Sequence, residues 1–208
     1  MAQSFLRRLR RGKPIVVVSG LPRSGTSMAM RMLEAGGLPL VTDGLRTADD
    51  SNPNGYYEFE PVKELDKPGD HAWLADARGK GVKIISLLLT HLPERFDYQV
   101  VFMQRDLNEI LASQDKMLEV RGEEKGAADD RMRALYTEHL GRVDRFLSQR
   151  SCFSTLRLPY AGVLANPAAE AARLNKFLGG QLNVSRMAGV AEPRLYRNRG
   201  EAGNRLEA

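Results

Sequence analysis

An α/β fold, with a mostly parallel sheet between helices, is what this sequence predicts, and two observations carry the prediction. Strand-like apolar runs alternate with helix-like stretches along the chain, which is the pattern of strands laid parallel by crossover helices. A glycine-bearing loop joins the first strand-like run to the first helical one, and a second such run ends at an arginine just before a capped helix.

The elements follow in order. Ile15-Val16-Val17-Val18 is β-rich, and Met28 to Ala35 reads as a helix. Gly36 to Glu60 is rich in Gly, Pro, Asp and Asn and reads as a loop, ending in Tyr56-Tyr57-Glu58-Phe59-Glu60, a mixture of aromatics and carboxylates that suits an acceptor site or a loop pinned by its two tyrosines. Val82 to Ser86 reads as a short strand and Gln99 to Met103 as a buried one. Asp106 with Glu109 forms a capping box that starts a helix, whose apolar face is Leu107, Ile110, Leu111 and Leu118. Glu119 to Asp130 is a charged connection. Asp129 to Gln149 is a long amphipathic helix through Met132, Leu135, Tyr136, Val143, Phe146 and Leu147, and Thr155 to Leu158 is a further strand. Asn166 then caps a helix with Pro167 at its first position and Glu170 in its first turn.

The 208 residues suit one domain over 1–208, with residues 1–13 as a basic leader. The formal charge of +5 favours anionic ligands, and Arg7, Arg8, Arg10, Arg11 and Lys13 carry much of it as a solvated cluster; no aromatic-rich nucleic-acid motif accompanies them, so no specific nucleic-acid partner is expected. No apolar run is long enough to span a membrane and no signal-peptide core follows the N-terminal charges, which makes the cytoplasm the default compartment. Cys152 is the single cysteine, so neither an intramolecular disulfide nor a cysteine zinc cluster can form.

The chemistry resides in Gly20-Leu21-Pro22-Arg23-Ser24-Gly25-Thr26-Ser27. Its spacing is that of a Walker A phosphate loop, with Thr26 where the lysine stands and Arg23 supplying positive charge from within the loop. Gly20 and Gly25 let successive N–H groups turn toward an anion, the following helix adds its positive end, and Ser24, Thr26 and Ser27 add hydroxyls. The fold class is therefore a P-loop NTPase-like three-layer sandwich. Ligands in such sheets bind outside the carboxyl ends of the strands, where both this loop and Arg105 fall. Ser113 follows Arg105 by eight positions, about 10 Å along the new helix, and on the residues alone is a small residue at a helix contact. On the residues alone, Arg105 equally well pairs with a nearby carboxylate.

The segment Pro22-Arg23-Ser24-Gly25-Thr26 resembles the 5′-phosphosulfate loop of the P-loop sulfotransferase family, and Arg105 with Ser113 resembles its 3′-phosphate pair. The resemblance implies a small bacterial-type enzyme that moves a sulfuryl group from 3′-phosphoadenosine 5′-phosphosulfate to a hydroxyl or amine of a small-molecule or glycan acceptor. It leaves adenosine 3′,5′-bisphosphate and uses no metal. Val82-Lys83 stands where the family has Val-Lys-Thr-His, which makes Lys83 a second catalytic cation beside Arg23, but Ile85 occupies the histidine position. Other members use a glutamate after the first helix, so Glu58 becomes the candidate base, with His91, His71 and Asp50 as alternatives. Leu195-Tyr196-Arg197-Asn198-Arg199-Gly200 loosely resembles the family's Arg-Lys-Gly segment, which adds Arg197 and Arg199 to the 3′-phosphate site. A P-loop small-molecule kinase and a catalytically silent nucleotide or polyanion binder remain the other readings.

Overall fold

The computed structural model describes residues 11–44, 57–121 and 129–191. Four strands, β1 (Ile15–Ser19), β2 (Gly81–Lys83), β3 (Tyr98–Gln104) and β4 (Phe153–Pro159), make one sheet in the order β2-β1-β3-β4, with every pairing parallel. Around them lie α1 (Thr26–Ala35), the single turn α2 (Trp73–Asp76), α3 (Leu107–Arg121), α4 (Asp129–Gln149), α5 (Tyr160–Ala165), α6 (Pro167–Phe177) and α7 (Val184–Ala188). Short 3₁₀ turns cover Glu60–Glu64 and Ser86–His91.

The unbroken Ile-Val-Val-Val of β1 is explained by burial on both faces of the sheet. Side chains alternate across a strand, so Ile15 and Val17 enter one core with Val100 and Phe102 of β3 and Val143 and Leu147 of α4. Val16 and Val18 enter the other with Met30 and Leu33 of α1, Leu174 of α6 and Met187 of α7. The result is an α/β sandwich with helices on both faces of the sheet.

The strand order reverses at β1: from there the chain crosses to β2 on one side and returns to β3 on the other, and such a switch opens a crevice beyond the carboxyl ends of the strands. Ser19 pairs with Phe102, so residues 20–25 and Arg105 emerge at this same edge. Residues 39–41 run along β2: Leu40 bridges Gly81, and the Gly81 carbonyl accepts from Val41 N at 2.8 Å.

Three expectations are corrected. The strand expected over Val82–Ser86 stops at Lys83, because β1 ends and its partner becomes the loop; single bonds from Ile84 N to Val18 O and from Ser86 N to Gly20 O carry the pairing on at 3.0 and 3.1 Å. The connection expected over Glu119–Asp130 is narrower, with α3 running to Arg121 and α4 starting at Asp129. Asp106 caps α3, its Oδ1 accepting from Asn108 N at 2.8 Å and from Glu109 N at 3.3 Å, but the Glu109 carboxylate reaches Arg105. The Asn166 cap forms as the sequence predicts, accepting from Ala169 N at 3.2 Å.

Candidate active site

Residues 20–25 turn from β1 into α1 through left-handed backbone at Gly20 (φ 153°), Arg23 (φ 68°) and Gly25 (φ 100°). At Gly20 a Cβ would lie 2.4 Å from Ser24 Oγ, and at Gly25 one would lie 2.5 Å from the Tyr160 ring, so glycine is required sterically at both. Gly25 leads into α1 without a side-chain cap and no acidic residue occupies the first turn, which leaves the positive end of the helix facing the loop. Ser24 is 1% exposed, and its Oγ has no hydrogen-bond partner among the described residues; Ser19 Oγ, directly before the loop, is in the same condition. A buried hydroxyl ordinarily finds a partner, and among the described residues neither of these two, one in the loop and one at the end of β1, has one.

Three of the residues singled out from sequence meet at one corner. Arg23 Nε donates to Ser113 Oγ at 3.0 Å, and Arg105 Nη1 donates to the Arg23 carbonyl at 3.0 Å. Arg105 also pairs with Glu109 at 3.0 Å, both side chains being almost fully buried, and its guanidinium lies 4.5 Å from the centre of the Tyr160 ring. Arg105 therefore holds a carboxylate, and it reaches the Arg23 main chain, whose side chain bonds Ser113. Burial pushes the Tyr160 hydroxyl above its ordinary range, against the pull of Arg105.

On the other side of the loop, Lys83 closes β2. Its Nζ lies 3.8 Å from Glu58 Oε1, and the lysine side chain is 9% exposed against 27% for the glutamate. A cation and a carboxylate thus stand together beside the glycine loop, since Lys83 pairs with Val18 two residues before Gly20. Ile85, in the family's histidine position, is 39% exposed and offers no base. His91 ends the 3₁₀ turn on the surface. Pro22 is exposed at the loop's outer side, while Thr26 and Ser27 open α1 half-buried. Arg197, Arg199 and Asp50 lie outside the described residues, as do Arg7, Arg8 and Arg10; within the basic leader, Arg11 is not simply solvated but pairs with Asp97 at 3.1 Å.

Sequence reasoning missed two members of this neighbourhood. Tyr160 follows β4 as Arg105 follows β3, and the carboxyl-edge rule applied to the fourth strand finds it. His139 of α4 hydrogen-bonds Ser86 Oγ through Nε2 at 2.9 Å, and the Ser86 N–H holds the Gly20 carbonyl, so this buried pair backs the loop. Burial, aided by Arg142, holds the His139 imidazole below its ordinary range and thus neutral. No short motif signals that contact. Among the described residues no cluster of His, Cys, Asp and Glu fit for a metal occurs, and no helix is long and apolar enough to cross a membrane.

No protein-family model and no curated protein matches the sequence. Solved structures do: a sulfotransferase domain from the curacin biosynthetic pathway aligns with 88% of this chain and 79% of its own at 14% identity and a TM-score of 0.51. A sulfotransferase domain from the Synechococcus PCC 7002 olefin synthase aligns with 91% and 84% at 15% identity and a TM-score of 0.47. At such identity the likeness is one of architecture, and the four-stranded parallel sheet with its flanking helices is that of a sulfotransferase-domain fold.

Proposed function

We infer that the protein is a sulfotransferase that takes its sulfuryl group from 3′-phosphoadenosine 5′-phosphosulfate and delivers it to a hydroxyl or amine of a small-molecule or glycan acceptor. The observation that carries this reading is the Ser24 hydroxyl, buried and unpartnered inside a glycine cradle at the open positive end of α1. The residues fit a phosphosulfate. Gly25, Thr26 and Ser27 N–H groups and the hydroxyls of Ser24, Thr26 and Ser27 would hold its 5′ end, and Arg105 with Ser113 its 3′-phosphate, with Pro22 shaping the loop.

When bound, that donor supplies an activated sulfur whose leaving group is a phosphate oxygen. Glu58 would accept the acceptor's proton as the new bond to sulfur forms, and the cations Lys83 and Arg23 would stabilise the electron pair left on the departing phosphate. Arg23 Nε bonds Ser113 as the chain stands, and the guanidinium carries further N–H donors on its Nη atoms. Charge on this side of the loop comes from arginine and lysine, and no metal enters the reading.

The test is thermal unfolding with adenosine 3′,5′-bisphosphate without magnesium, beside ATP with magnesium. A ligand that binds only the folded chain stabilises it by about 2.7 kcal/mol at roughly a hundred times its Kd. The bisphosphate is expected to raise Tm and ATP to do little. Tighter, magnesium-dependent ATP binding would support a kinase and remove this reading.

A further inference from the structure

Glu58 is held through its neighbours on both sides of the sequence. Tyr57, directly before it, has left-handed backbone at φ 52°, a conformation unfavourable for a non-glycine residue that persists only where its surroundings impose it. What imposes it is visible. The Tyr57 hydroxyl donates to Glu34 Oε2 at 2.6 Å, and its ring packs into the core on the α1 side of the sheet. The Glu58 carbonyl accepts from Thr42 Oγ1 at 3.0 Å and from Asp43 N at 3.3 Å, and the Asp43 carboxylate takes the Glu60 N–H.

Glu34 sits in the last turn of the helix whose first turn forms the phosphate cradle. From Thr26 to Glu34 the helix rises about 12 Å, a length set by hydrogen bonds within the helix alone. A rigid rod therefore joins the donor cradle at one end to the residue before Glu58 at the other.

We propose that Tyr57 and Glu34 are positioning residues, and that their hydrogen bond uses α1 as a spacer to set the Glu58 carboxylate at its place beside Lys83, over the acceptor. This rests on the sulfotransferase reading. Neither residue touches substrate; both act through Glu58.

The experiment compares wild type with Tyr57→Phe, Glu34→Ala, their double variant and Glu34→Gln, which keeps an acceptor oxygen. Turnover is read as adenosine 3′,5′-bisphosphate released from 3′-phosphoadenosine 5′-phosphosulfate with 4-nitrophenol, glucosamine or water as acceptor, and donor binding as the Tm shift with the bisphosphate. A hydrogen bond to a charged group corresponds to roughly tenfold, so Tyr57→Phe and Glu34→Ala should each lower kcat about tenfold with the donor KM and the Tm shift unchanged. The double variant should lose no more than either single one, and Glu34→Gln should recover most of the rate. Trp73, the chain's single tryptophan, packs edge-on against Phe59 at 5.3 Å between ring centres, so its fluorescence reports whether residues 57–60 are still held. Turnover equal to wild type in Tyr57→Phe and Glu34→Ala, or a fall matched by a lost Tm shift, overturns the positioning role while leaving the enzyme reading intact. Wild type that releases no bisphosphate above the uncatalysed rate overturns the enzyme reading itself, and the positioning role with it.

Discussion

Arg105 donates from Nη1 to the main-chain carbonyl of Arg23 at 3.0 Å, so the arginine that follows β3 fixes the loop that follows β1. The same side chain pairs with Glu109 and lies over Tyr160, a structural task, beside which the proposed function gives it a second one, toward a 3′-phosphate. Arg105→Ala separates them. Removing one member of a buried ion pair costs about 3–5 kcal/mol, so the urea midpoint should drop, and Glu109→Gln in the same chain should recover part of the loss. In the variant that remains folded, adenosine 3′,5′-bisphosphate should lose at least about tenfold more affinity than adenosine 5′-phosphosulfate, the ratio expected for one charge-assisted hydrogen bond to the 3′-phosphate. Equal losses for both ligands, measured by calorimetry, would mean that Arg105 acts only by holding the loop.

Ser24→Ala tests the cradle with the opposite sign. Because the buried Ser24 Oγ has no hydrogen-bond partner among the described residues, replacing it by a methyl group removes an unsatisfied hydroxyl, and stability should stay level or rise by up to about 1 kcal/mol. The Tm gain from the bisphosphate should shrink at the same time. A variant less stable than wild type, with its ligand response intact, would show that the hydroxyl serves the fold and not a bound phosphate.

His139 makes stability depend on pH. Its folded pKa lies below its unfolded value near 6.5, chiefly through burial and secondarily through Arg142, so the folded chain carries it neutral. The unfolded chain binds the proton more readily; hence this contribution is full above the unfolded value and is lost as pH falls below it toward the folded one. Between about pH 7.5 and about pH 5, the urea midpoint of wild type should fall further than that of His139→Gln, which keeps a polar partner for Ser86. Parallel curves for the two proteins would assign the acid sensitivity to other groups.

Much of this architecture was legible because its signals are local. The apolar run of β1, the 21 residues of α4 and the Asn166 cap each depend on neighbours within a few positions, and the structure has all three. Ile84 and Ile85 read as strand for the same local reason, but strand pairing needs a partner, and β1 had already turned into the loop. The loop was singled out by its spacing, and Arg105 with Ser113 by a family resemblance; the loop and Arg105 lie together because strand ends in a parallel sheet share one edge. Tyr57 with Glu34, 23 positions apart, and Ser86 with His139, 53 apart, are pairings made by the fold, and no periodicity in the chain announces them. Glu109 shows a competition: the capping-box position and the buried Arg105 both call on one carboxylate, and the full charge of a desolvated guanidinium outweighs a main-chain N–H that water can serve.

The base is the last residue to be tested, and Glu58 and His91 give opposite expectations. Glu58 stands 3.8 Å from Lys83 at the carboxyl edge of the sheet, with its backbone anchored by Thr42 and Asp43. His91 is exposed at the end of its 3₁₀ turn, and no contact links it to the loop among the described residues. Glu58→Gln keeps the shape and removes the proton-accepting charge, so turnover should fall by about a hundredfold or more, the usual contribution of general-base catalysis, while the bisphosphate still raises Tm as in wild type. His91→Ala should keep both. Lys83→Ala is expected to lower turnover as well, because on the proposed function it removes the cation that would stabilise the leaving phosphate, but restoring the charge with Lys83→Arg should recover part of the rate. Turnover abolished in folded His91→Ala and retained in Glu58→Gln would move the base to the Thr90-His91 segment and leave the Lys83–Glu58 pair as a structural contact.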